Sequence, residues 1–97
     1  MTDKNEARLA SLYGSIKIGK DAAKILDHPA VHAWFEASLE GLTDNLTKAP
    51  AGEQGHAIRE GYTSQIRAVR GLRKSLSDAR AHGDRAESQL SASTPGE

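Results

Sequence analysis

The chain reads as an all-α protein built around an antiparallel helical hairpin, and three observations predict this. Helix-compatible segments run almost end to end. They are interrupted at His28-Pro29 and at Ala49-Pro50-Ala51-Gly52, where proline and glycine punctuate the pattern. On either side of the second break lies an amphipathic pattern, and two such stripes bury themselves by folding back on each other. The predicted hairpin pairs residues 29–47 with 53–81, with a bent N-terminal helix in addition. Residues 1–90 form one helical domain.

The first segment, from about Asp3 to Leu26, divides in two. Leu9, Leu12, Tyr13 and Ile16 make one stripe at helical spacing. Ile18, Ala22, Ile25 and Leu26 point to a different side, and Gly14 and Gly19 flank the change. Each glycine weakens a helix interior by about 1 kcal/mol relative to alanine. The segment is therefore either a bent helix or two short ones. Asp27-His28 ahead of Pro29 supplies an end and a new start, with Asp27 or His28 at the cap and proline in the first turn.

In the second segment, Val31, Trp34, Phe35, Leu39, Leu42 and Leu46 fall within an arc of about 140°. Glu36, Glu40 and Asp44 lie opposite, as a solvated face. Trp34 and Phe35 are core residues by spacing, with a partner anchor as the alternative reading of so large a side chain on so small a hairpin.

The third segment carries Ile58, Tyr62, Ile66, Val69 and Leu76 along its apolar stripe, with Leu72 at the edge and Arg73 within it. Arg59, Arg67, Arg70 and Lys74 form a basic flank. Between Glu53 and Arg80 there are six basic and three acidic residues, against one basic and three acidic from His28 to Lys48. Opposite charge bias favours pairing of the two helices. His82-Gly83 is expected to end or kink the third helix, Gly83 to Leu90 to add a short turn, and residues 91–97 to form a disordered tail. The expected core is Leu12, Ile16, Val31, Phe35, Leu39, Leu42, Ile58, Tyr62, Ile66, Val69 and Leu76. Gly19-x-x-Ala22-x-x-x-Leu26 is echoed by Gly83-x-x-Ala86-x-x-x-Leu90. Chance repetition in an Ala- and Gly-rich chain accounts for the echo, and two matched contact elements are the alternative.

Composition narrows the function. With 97 residues and a hydrophobic fraction of 37%, the chain buries only a modest core. Its aromatic residues are Tyr13, Trp34, Phe35 and Tyr62 alone. Sharing apolar surface with a copy or a partner relieves that shortage, so a homo-oligomer or a protein partner is expected. Thirteen basic and thirteen acidic side chains balance, which argues against a dedicated polyanion binder. The absence of cysteine removes disulfide and thiolate chemistry and fits a cytoplasmic or virion-interior setting. The N-terminus lacks the build of a signal peptide, and no apolar run approaches the ~20 residues that span a bilayer.

Chemistry-bearing constellations are few. His28, His32 and Glu36 are spaced by four, as two imidazoles and a carboxylate on a metal would be. The pattern is not His-Glu-x-x-His, it has no evident fourth ligand, and Pro29 disfavours helical geometry at His28. Capping and solvated surface are the expected roles. No phosphate-binding loop or nucleophile elbow is present. We therefore expect no enzyme activity, no metal and no cofactor. The candidate partner-binding residues are Trp34, Arg67, Arg70, Arg73 and Lys74. The same basic stretch can track phosphates, so a small nucleic-acid-binding module is the alternative function.

Beginning at Leu26-Asp-His-Pro29-Ala-Val-His-Ala-Trp34-Phe35, the chain resembles short all-helical proteins of tailed bacteriophages. The likeness continues through Leu39, Leu42, Lys48-Ala-Pro50 and Ala68-Val-Arg-Gly-Leu-Arg73 to Gly83-x-x-Ala86-x-x-x-Leu90, covering about residues 19–90. It implies a virion or morphogenesis component located in the host cytoplasm or the particle. It transfers no catalytic residue.

Overall fold

The computed structural model describes residues 2–92, with the side chain of Thr2 excepted, and all three of its elements are helices. They are α1 (Thr2–Asp27), α2 (Pro29–Lys48) and α3 (Glu53–Ala92). The described residues form two compact units, one of residues 2–26 with 75–92, the other of residues 27–74. The first contains α1 and the C-terminal part of α3. The second is the hairpin of α2 and the N-terminal part of α3.

α2 begins where proline and its neighbour dictate. His28 is extended (φ −68°, ψ 124°), and its Nδ1 accepts a hydrogen bond from the Ala30 amide at 3.1 Å. Pro29 follows in the first turn, where its missing N–H is no loss. His28 is thus a helix cap. At the other end, Gly52 adopts φ +81°, open to glycine without strain, and lets the chain reverse into α3. Arg59 then reaches back: its guanidinium donates to the Pro50 carbonyl and, at 2.9 Å, to the Gly52 carbonyl. Gly55 is buried directly under this loop, and a Cβ there would collide with the Pro50 carbonyl.

Within the hairpin Phe35 and Ile66 are the buried large side chains, at 3% and 7% exposure. Val31, Leu39, Leu42, Tyr62 and Val69 are half-buried around them. One residue of the expected core stands elsewhere: Ile58 is about half exposed, as is Trp34, which its spacing had also turned toward the core. Both sit about a quarter-turn or more from the inward direction set by Ile66 and Phe35, beyond the reach of a single facing helix.

In the other unit α1 runs antiparallel to α3. Leu12 shares a groove with Ala86, and Ile18 one with Ala79. The pairing centres on two glycines. A Cβ on Gly19 would lie 2.8 Å from the Gly83 Cα and 3.1 Å from the Ala79 carbonyl oxygen. A Cβ on Gly83 would lie 2.8 Å from the Gly19 Cα and 2.9 Å from the Ser15 carbonyl oxygen. The two backbones are in van der Waals contact, with Leu12, Ala22 and Ala86 buried beside them. The Gly-x-x-Ala-x-x-x-Leu echo is therefore not chance: its two copies are the paired contact elements.

This seam corrects two further expectations. α1 is one continuous helix rather than two short ones, and its large apolar residues straddle the seam. On a helical wheel Leu9, Tyr13 and Ile16 lie to one side of Gly19, and Ile18 and Ile25 to the other. α3 neither ends nor breaks at His82-Gly83, since packing against α1 outweighs the propensity cost of one glycine. It continues through Ser91 and Ala92, and the rest of the expected tail, 93–97, lies outside the described residues.

The glycines separate by sign. Gly19→Ala and Gly83→Ala force the helices apart, an overpacking cost of about 1–3 kcal/mol against a propensity gain of at most ~1 kcal/mol. Gly14 and Gly71 have nothing within 4 Å of an added Cβ. Gly14→Ala and Gly71→Ala should therefore raise stability by up to about 1 kcal/mol. Thermal unfolding followed by circular dichroism should show Tm falling for the first pair and rising for the second.

Candidate functional site

The hairpin has two unlike sides, and the wheel positions of its helices explain why. With Phe35 and Ile66 pointing inward, one side carries Trp34, Ala37, Ser38, Gly41 and Asn45 from α2. From α3 it carries Ile58, Gly61, Gln65, Ala68, Val69 and Leu72. None of these residues bears a formal charge. The other side carries His32, Glu36 and Glu40 from α2 and Arg67, Arg70 and Lys74 from α3.

The uncharged side is concave. An open groove of about 500 Å³ is lined by α2 residues from Trp34 to Asn45 and by Gln65, Ala68 and Val69 of α3. The concavity follows from residue size: Ala37, Gly41 and Ala68 leave the helices bare. Trp34 stands at one end, 52% exposed as a residue, with its indole packed edge-to-face on Phe35 at 5.3 Å between centroids. Leu72 and Ile58 are 51% and 46% exposed on the α3 side. No side chain lining the groove titrates near neutral pH, so the groove has no group to serve as acid, base or metal-binding carboxylate. What it offers is apolar surface with a few amide and hydroxyl groups at its edges.

Of the five candidate residues, Trp34 alone belongs to this groove. Arg73 lies in the seam between the helices. Its guanidinium donates to Glu36 Oε1 at 3.2 Å and sits 5.8 Å from the centre of the Phe35 ring. It holds α2 to α3. Arg67, Arg70 and Lys74 are exposed on the charged side. The structure thus separates the aromatic anchor from the basic flank that the sequence had grouped with it. Ala37, Gly41, Gln65 and Ala68 escaped sequence reasoning. Their signal was the absence of charge along one edge of both helices, from Trp34 to Asn45 and from Ile58 to Leu72 with Lys48 beyond it, together with a mid-helix glycine at 41.

His28 serves as a cap, and among the described residues no group of three or more His, Cys, Asp or Glu side chains is placed to hold a metal ion. Nor is any described helix long and apolar enough to cross a membrane. A second concavity, in the unit of α1, has a mixed lining in which Arg8, Ser11, His82 and Arg85 stand beside Leu12 and Ala86. No protein-family model, curated protein or solved structure matches this chain.

The Glu36–Arg73 pair is half-exposed, with side chains 57% and 38% accessible. Water screens such a pair, so its coupling should be no more than about 1 kcal/mol. A double-mutant cycle of Glu36→Ala and Arg73→Ala by urea denaturation measures it. Arg73→Ala alone should cost more than Glu36→Ala, because it also removes the packing on Phe35.

Proposed function

We propose that this chain is a non-enzymatic helical assembly or adaptor protein that works through protein–protein contacts, as a virion or morphogenesis component of a tailed phage. The observation that carries the reading is the uncharged groove with Trp34 at its rim. Exposed indole beside a small-residue floor is the composition of a contact hot spot, and depletion of charge is what sets the centre of an interface apart from ordinary surface. The phage setting rests on the resemblance of residues 19–90 to short helical phage proteins. The absence of titratable groups from the groove favours binding over catalysis there.

A nucleic-acid-binding module is the second reading, favoured by the gathering of Arg67, Arg70 and Lys74 on one side of α3. Against it, the same side of the hairpin carries Glu36 and Glu40, and Arg73 and Arg59 are engaged within the chain. The two readings part on salt. Phosphate binding releases counterions and weakens steeply as salt rises. Fluorescence anisotropy with duplex and single-stranded probes across a salt series should show no specific binding by the intact chain. Strong binding at low salt that falls steeply with added salt, and is lost in Arg67→Ala/Arg70→Ala but kept in Trp34→Ala, would overturn the proposal.

A further inference from the structure

We infer that the uncharged groove is the face of a two-fold dimer, occupied by the same groove of a second copy of this chain. The inference deepens the proposed protein-contact function and rests on it.

Three properties of the face point to a copy of itself. The first is shape. Trp34, half-exposed, lines one end of the groove, and Gly41, two turns along α2, lines it with no side chain and open space before it. Seven residues of helix separate the knob from the floor by about 10 Å. A two-fold axis passing midway between them, near Ala37 and Ser38, turns each indole onto the other copy's floor. Knob and hole are thus both supplied by one surface, as an isologous interface requires.

The second is charge. A two-fold axis brings each residue near its own symmetry mate, so any charge close to the axis meets its like. Eleven positions across the two helices carry none, and the charge on that side of α2, Lys48, stands in the last turn, about 15 Å along the helix from the axis. The chain as a whole has formal net charge zero, so copies do not repel at long range. The third is area. The uncharged positions run from Trp34 to Asn45 on α2 and from Ile58 to Leu72 on α3, about 20 Å of helix, and two helices side by side are about 20 Å wide. Burying that face covers about 400 Å² per copy and about 800 Å² in all, the size of a weak, concentration-dependent contact. The result is a four-helix arrangement in which Phe35 and Ile66, now the only large side chains buried in the hairpin, become part of a larger core.

Gly41 gives the cleanest test, because a Cβ there meets nothing within 4 Å inside the chain. Gly41→Glu is tolerated by the isolated fold, and a helix interior prefers glutamate to glycine. It nevertheless places an unpaired charge at the centre of the dimer face. Sedimentation equilibrium and light scattering from nanomolar to millimolar chain should give twice the 10.4 kDa chain mass for the native protein. Trp34 emission should move to shorter wavelength as the dimer forms. Gly41→Glu should weaken dimerisation at least about a hundredfold while leaving helix content unchanged. Arg67→Ala, on the opposite side, should leave it as it was.

A native chain that stays monomeric throughout overturns the dimer, as does a dimer that survives Gly41→Glu. A dimer lost in Ile18→Glu but kept in Gly41→Glu overturns it too, by assigning the contact to α1. Each of these results leaves the wider protein-contact reading in place, which the nucleic-acid salt series tests separately.

Discussion

Everything in this fold depends on α3 serving two partners. α1 and α2 each bury one face against it and have no other helix within their own unit. Neither pair encloses much: Leu12, Ala22 and Ala86 in one and Phe35 and Ile66 in the other are the buried apolar side chains. Stability must therefore come from close approach over a long contact. At Gly19 and Gly83 the approach reaches backbone against backbone, and in the hairpin it is held by Arg73 between Glu36 and Phe35. A chain without bulk at its seams gains dispersion contacts by proximity.

How much of this was legible follows from which signals are local. The turn was plain, because Pro50 and Gly52 have few alternative meanings. So was the inward direction of Phe35 and Ile66, since their neighbours at helical spacing are apolar. The α1 seam was nearly invisible. Contact made by glycine and alanine leaves no hydrophobic stripe, so a wheel weighted by bulk picks out the flanking Leu9, Tyr13 and Ile18 instead. The repeated Gly-x-x-Ala-x-x-x-Leu was the trace of it, and it looked like composition. Gly83 also read as a break, because propensity is scored residue by residue while packing acts on the whole helix.

The functional surface shows the same division. Trp34 was recognisable as too large to hide, yet spacing alone grouped it with the core and with the arginines of the next helix. Which side of the hairpin it occupies depends on the rotation of α2 and α3 about their own axes and on their antiparallel pairing across the loop. Once Phe35 and Ile66 are known to point inward, the arginines fall to one side and the indole to the other, and a stretch of edge without charge becomes visible.

The Gly19–Gly83 seam joins residues 64 positions apart (83 − 19 = 64), whereas the Arg59 clasp closes over seven to nine. Short closures cost less chain entropy and form sooner. During synthesis, then, α1 emerges before the hairpin and meets its mate after it. For the whole time the hairpin is being made and folded, Leu12 and Ala22, the side chains α1 buries at the seam, stand bare to water.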